Sequence, residues 1–185
     1  MKYNNRSISR LAFALLLRGA ASLRLNITAI GARDGSSTLE CWQMNTPFTS
    51  SSDPGTAGSL VTNLGGVSNV SYSIIPPEYD GGLHHAPYAQ WVSFTSGLAY
   101  ITLPDDNSTS ALVNGGQFGL IFAADTAGVS ERGHRTQYLG NTETVALQIP
   151  TCNGEVPAHD VLHMGPCDSS EVAGVREVAL AGKKS

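Results

Sequence analysis

Four residues carry most of the chemistry this chain offers: His84, His85 and Gln90 in "GLHHAPYAQ", and His134 in "SERGH". Neutral imidazole nitrogens bind Fe, Mn, Ni or Zn, and a carboxylate beside them offsets the charge of the ion. Here the neutral amide of Gln90 takes the place such a carboxylate would occupy, which lowers both affinity and selectivity for a metal. A second reading uses the same residues without a metal. Gln90 and His134 then hydrogen-bond each other or an organic ligand, and His84 and His134 exchange protons near neutral pH. Dioxygenase chemistry would need iron with an open coordination position, which this neutral ligand set disfavours.

These side chains must be positioned by strands. Gln90, Val92 and Phe94 share a parity and face one side, and His84 has the same parity. Adjacent residues on a strand point to opposite faces, so His84 and His85 converge only if the chain bulges, and Pro87 marks a place where a bulge would shift the phase. We rank His84 ahead of His85 as the inward histidine. Asp125 and Thr126 in "AADTAG" read either as a turn whose carboxylate accepts an N–H from His134 or as an Asx-capped turn. His159 and His163 have helical spacing, but Pro157 and "MGP" bracket them, which makes them surface residues. No Ser-His-Asp motif, phosphate loop or closely paired carboxylates occur.

Apolar or alternating runs recur along the chain: "LECWQM" (39–44), "SLVTNL" (59–64), "NVSYSII" (69–75), "QWVSFTSG" (90–97), "LAYITL" (98–103), "FGLIFAA" (118–124) and "ETVALQI" (143–149). Turn-forming segments such as "SSDPGTAG", "PPEYDGG" and "PDDNS" separate them. No window before residue 168 has a helical period, so the expectation is an all-β sandwich or barrel in one domain, residues 23–167. Trp42, Trp91, Phe94, Tyr100 and Phe122 are core aromatics, with Trp91, Phe94, Tyr100 and Phe122 as candidates for a pocket wall. Residues 168–185 form either a short helix, capped by Asp168 with Glu171 three residues on, or a frayed tail.

Composition limits the partners. Of the 185 residues 41% are hydrophobic and 14% charged, with a net charge of −4, which supports a folded core and argues against nucleic-acid binding. Lys2, Arg6 and Arg10, then "LAFALLL", then "RGAAS" give residues 1–22 the pattern of a secretory signal peptide. Mitochondrial targeting is the alternative, or an intracellular protein if the segment is no signal. No apolar run is long enough to span a bilayer. Sequons at Asn26, Asn69 and Asn107 suit secretion and glycosylation. Of the three cysteines, a Cys41–Cys167 disulfide would tie the first core strand to the end of the domain, with Cys152 as the alternative partner.

The stretch "HHAPYAQWVSFTSGLAYITLPDD", followed by "GGQFGLIFAADTAGVSERGHRTQY", resembles the two-motif core of the cupin superfamily. It is similar in particular to fungal small secreted proteins of cupin type and to bacterial cupins with a His-x-Ala-Pro-x-x-Gln pattern. The likeness runs from about Asn26 to Cys167. Gln90 and Gly97 keep the spacing of the usual first motif, with glutamine for glutamate. That motif would place its two histidines at Leu83 and His85, whereas the closer subfamily places one at His84. The second motif ends at His134 without its usual proline. The resemblance implies a single cupin-type β-barrel or jelly roll holding a small organic molecule, with a divalent metal (Fe, Mn, Ni or Zn) or none, and a homodimer formed through sheet edges. It implies an isomerase, dehydratase or cyclase, as in fungal secondary metabolism. The alternative is a secreted, glycosylated binding protein that keeps the barrel without catalysis.

Overall fold

A computed structural model describes residues 22–172. The signal-like segment up to Ala21 and the tail beyond Val172 lie outside the described residues. Thirteen strands account for nearly all regular structure there. They are β1 (Arg24–Arg33), β2 (Ser36–Pro47), β3 (Thr49–Ser50), β4 (Leu60–Val61) and β5 (Ser71–Ile75). Next come β6 (Tyr79–His84), β7 (Gln90–Ser96), β8 (Leu98–Thr102) and β9 (Ser110–Asn114). The last are β10 (Leu120–Ala123), β11 (His134–Tyr138), β12 (Thr144–Pro150) and β13 (His159–Met164). Among the described residues no helix is long and apolar enough to cross a membrane.

Two sheets face each other, the all-β jelly-roll arrangement that the sequence leads one to expect. The larger has seven strands in the order β13-β2-β1-β10-β7-β12-β5, and the smaller has four in the order β6-β11-β8-β9. A small β3–β4 hairpin stands apart. Every pairing in the larger sheet is antiparallel except β1 with β10.

The core between the sheets follows from period-two alternation. Ile30, Leu39, Val92, Phe94, Ile121 and Ala146 point inward from the larger sheet to meet Ala99, Ile101 and Val113. Their strand neighbours build a second apolar cluster of Ile27, Ala29, Trp42, Met44, Trp91 and Phe122 on the opposite face. The larger sheet is therefore buried on both sides, which explains the near-continuous apolar runs of its central strands. Leu64 and Ile149 cover this outer cluster, and the Trp91 Nε1–H donates to the Leu64 carbonyl at 3.1 Å.

Two of the expected pocket aromatics are thereby relocated. Trp91 and Phe122 pack edge to face at 4.9 Å on the far side of the larger sheet, away from Val92 and Phe94. Tyr100 is half-buried between the inward Ala99 and Ile101, so it points to the outer face of the smaller sheet, paired with Leu112. Phe94 alone of the four faces the space between the sheets.

The Cys41–Cys167 disulfide is present and closes a separation of 126 residues, leaving Cys152 as the free thiol. After it, Asp168 and Glu171 make the reciprocal bonds of a capping box. The Asp168 Oδ1 accepts from the Glu171 N–H at 3.0 Å, and the Glu171 Oε2 accepts from the Asp168 N–H at 2.7 Å.

Candidate active site

β6 and β11 pair antiparallel, with His84 directly opposite His134. Directly opposed residues project from the same face of a sheet, and the two rings meet with centroids 4.5 Å apart. Gly133 makes this approach attainable. Its φ is +69°, and a Cβ there would overlap the His84 carbonyl oxygen, so only glycine lets the chain before His134 lie against the His84–His85 peptide.

The Nδ1 of each ring meets an oxygen. That of His134 lies 2.7 Å from the Asp125 Oδ2, and that of His84 lies 3.0 Å from the Gly82 carbonyl. A carbonyl or carboxylate oxygen only accepts, so Nδ1 carries the hydrogen in both rings and Nε2 keeps the lone pair. Burial holds the His84 pKa below its ordinary 6.5; the Gly82 carbonyl opposes this, and His134 lowers the value further. His84 is thus a neutral base near pH 7.

Asp125 is fully buried and is held by a directed chain of donors. The Gly133 N–H donates to the Ser130 Oγ at 3.0 Å, Ser130 and Ser37 are bonded at 2.8 Å, and the Ser37 hydroxyl donates to the Asp125 Oδ2 at 2.8 Å. Because Ser37 spends its hydrogen on the carboxylate, Ser130 is the donor between the two serines. Of the two readings of "AADTAG", the structure holds the one in which the Asp125 carboxylate accepts from His134. Ser37 and Ser130 had no signal of their own, because serine is common in this chain and neither sits in a motif.

Beside His84 a cavity of about 220 Å³ opens between the sheets. The larger sheet contributes Ser73, Phe94 and Gln148, and the smaller contributes Tyr79, His84 and Tyr138. Ser73 donates to the Gln148 Oε1 at 3.0 Å, which turns the Gln148 amide hydrogens outward as donors. Burial, then the neighbouring Tyr79, push the Tyr138 pKa above 10.0, so its hydroxyl stays protonated. Trp91 lines a different cavity of about 360 Å³ on the outer face, with Met44, Leu64 and Val156.

His85 and Gln90 do not join the pocket wall. Gln90 is buried on the inner face, and its pairing with Ala123 and Pro150 fixes it at the start of β7. Among the described residues Gln90 makes no hydrogen bond to His134, whose Nδ1 goes to Asp125 instead. His85 follows β6, where the Ala86–Thr126 bridge draws the chain toward the Asp125 loop. Its Nε2 is buried without a partner, as is the Asp125 Oδ1. The proposed metal set of His84, His85, Gln90 and His134 is not assembled. Among the described residues, ligand atoms of His, Cys, Asp or Glu gather within 4.8 Å of one another only at Cys41, His163 and Glu171. The ring nitrogens of His84, His85 and His134 are thus not gathered within 4.8 Å of one another.

The sequons differ in access. Asn69 and Asn107 are exposed, whereas Asn26 is half-buried in β1 and accepts from Gln43 at 3.1 Å. His159 and His163 lie on a strand, β13; His163 is exposed, and His159 stacks on Trp42 at 3.5 Å.

No family model matches the chain and no curated protein matches its sequence. Among solved structures it is similar to NovW, a 4-keto-6-deoxy sugar epimerase from the novobiocin biosynthetic gene cluster of Streptomyces spheroides. That match has 10% identity and a TM-score of 0.33, covering 89% of this chain and 95% of the other. At this level the likeness carries no weight for the chemistry of the site.

Proposed function

We propose that the protein is a small-molecule enzyme of the isomerase, dehydratase or cyclase type, working by proton transfer in the cavity between the sheets. The observation that carries this reading is the line of Asp125, His134 and His84 ending at the cavity wall. His84 is the group that meets the substrate, and its Nε2 takes a proton from an acidic C–H or O–H. His134 is a positioning residue: Asp125 fixes its ring, and its ring packs against that of His84 at a tilt of 58° and limits how it can turn. The buried carboxylate also lowers the cost of positive charge that develops on the imidazole pair. Tyr138, kept protonated by burial, gives a proton to the substrate from β11, while the Gln148 amide orients a carbonyl or hydroxyl oxygen. Solvent at the open cavity mouth takes the proton from His84 and returns one to Tyr138.

An open cavity with both polar and apolar walls supports an enzyme over a barrel that only binds partners, for which bulky side chains would fill this space; His84 itself stands exposed at the cavity mouth. The disulfide and the exposed sequons at Asn69 and Asn107 support a secreted protein.

The test is hydrogen exchange in D₂O. A panel of neutral hydroxy-ketones and hydroxy-lactones is incubated with the full chain, and NMR follows loss of the C–H signal next to the carbonyl. Catalysed exchange that disappears in His84→Gln and weakens strongly in His134→Gln is the expected result. No catalysed exchange with any member, or equal exchange in His84→Gln, would overturn the proposal.

A further inference from the structure

Away from the cavity, His163 on β13 is paired in register with Cys41 on β2. Both nitrogens of its ring face oxygen acceptors. Nδ1 lies 3.0 Å from the Met164 carbonyl, and Nε2 lies 2.9 and 3.1 Å from the two oxygens of Glu171. A neutral imidazole has one hydrogen, so with Nδ1–H given to the carbonyl, Nε2 would set a lone pair against a carboxylate. A cation belongs between them, either a proton or a metal ion. The Cys41 Sγ stands 3.8 Å from the Glu171 Oε2 and is bonded to the Cys167 sulfur.

Hydrogen bonds as well as the disulfide hold the backbone around these groups. Glu171 is fixed by the capping box and by Asn26, whose amide donates to the Glu171 carbonyl at 3.2 Å. Cys167 donates its N–H to the Thr28 hydroxyl at 3.1 Å. Tetrahedral zinc with ligand bonds of about 2.0–2.3 Å needs donor atoms roughly 3.3–3.8 Å apart. The ligand atoms of Cys41, His163 and Glu171 already lie within 4.8 Å of one another, and Cys167, outside that group, must turn toward it once the S–S bond is broken.

We infer that Cys41, Cys167, His163 and Glu171 form a redox-gated site for one divalent ion of the zinc type. A dithiol reductant delivers two electrons and two protons to the disulfide. The S–S bond breaks, two thiols form, and the reductant closes into its own disulfide. The ion then displaces both thiol protons and the Nε2 proton of His163, and takes two thiolates, one imidazole nitrogen and one carboxylate oxygen as ligands. The separation of 126 residues is bridged in either state, by a covalent bond when oxidised and by a metal when reduced.

The experiment uses the full chain carrying Cys152→Ser, which removes the free thiol. Oxidised and dithiol-reduced samples, the latter freed of reductant under nitrogen, are titrated with Co²⁺ and then with Zn²⁺. The expected result is one Co²⁺ per reduced chain with thiolate-to-cobalt charge-transfer absorption, displacement by Zn²⁺, and no such absorption in the oxidised chain. His163→Ala and Glu171→Gln should each weaken binding at least tenfold with unchanged circular dichroism. No uptake by the reduced chain, or equal affinity in both variants, overturns the inference. If reduction unfolds the protein, refolding on addition of Zn²⁺ supports the site, and failure to refold with Zn²⁺ overturns it.

Discussion

His84 and His134 stand opposite each other on adjacent strands, ring centroids 4.5 Å apart and planes inclined at 58°. Each donates its Nδ1 hydrogen to a fixed oxygen, so each keeps Nε2 as its basic atom. The Asp125 carboxylate is the part of this arrangement that no solvent molecule can replace, because it is fully buried.

Asp125→Asn keeps the shape but removes the charge that steadies a protonated imidazole. Turnover should fall by about 10²–10⁴ with little change in KM, the size usual for losing a proton-transfer partner. Asp125→Ala strands the Ser37 hydroxyl and the His134 N–H, at about 1–3 kcal/mol for each buried unpaired donor. Urea denaturation of both variants separates the two effects.

Gly133→Ala tests the close approach of β11 to the His84 peptide. The left-handed backbone and the overlap with the His84 carbonyl act together, so a loss of at least about 2 kcal/mol is expected. Gly82→Ala is the control, with φ of +65° but open space around it, and should cost only the conformational strain of about 1–2 kcal/mol. Equal losses would mean that the overlap is relieved elsewhere.

The two exposed-edge histidines should titrate on opposite sides of 6.5, the ordinary value, when followed by NMR. His84 lies below it, chiefly through desolvation. His163 lies above it, through the Met164 carbonyl first and Glu171 next. The unfolded chain therefore takes up a proton at His84 before the folded chain does, and stability falls as pH drops from 6.5 toward the lowered value. The contribution of His163 has the other sign: it is complete below 6.5 and is lost as pH rises through the raised value. His163→Ala should abolish that alkaline loss and leave the acid-side loss in place.

Replacing both Cys41 and Cys167 by serine should cost about 4–5 kcal/mol in the chain-entropy account of so long a loop. Equilibrium unfolding at neutral pH measures it. A loss under about 1 kcal/mol would show that the unfolded chain already holds these ends together.

Much of this arrangement was legible in the residues. Alternation placed Val92, Phe94 and Gln90 on one face; the same count did not place His84, which reaches the cavity from β6 of the other sheet. The carboxylate partner of His134 was one of two readings open for "AADTAG", and only the fold decides between them. The misplacement of Trp91 and Phe122 has a physical origin: a sheet buried on both faces gives every position an apolar reason to exist, so hydrophobicity no longer tells one face from the other. Tyr100 failed differently, because a half-buried aromatic on an outer face looks in sequence like a core one. The pairing of His163 with Cys41 was hidden altogether, since it depends on the register of strands far apart in the chain.

The strand order has a bearing on how the protein is made. β13, the last strand among those described, pairs with β2, near the start, and both β1 and β10 must be in place before the middle of that sheet exists. A nascent chain emerging from the ribosome cannot finish its larger sheet until residues near Met164 have cleared the exit tunnel. Until then β2 presents a bare edge to whatever is nearby. A chain cut short before His159 should be caught by chaperones or aggregate, even though every residue of the cavity has already been synthesised.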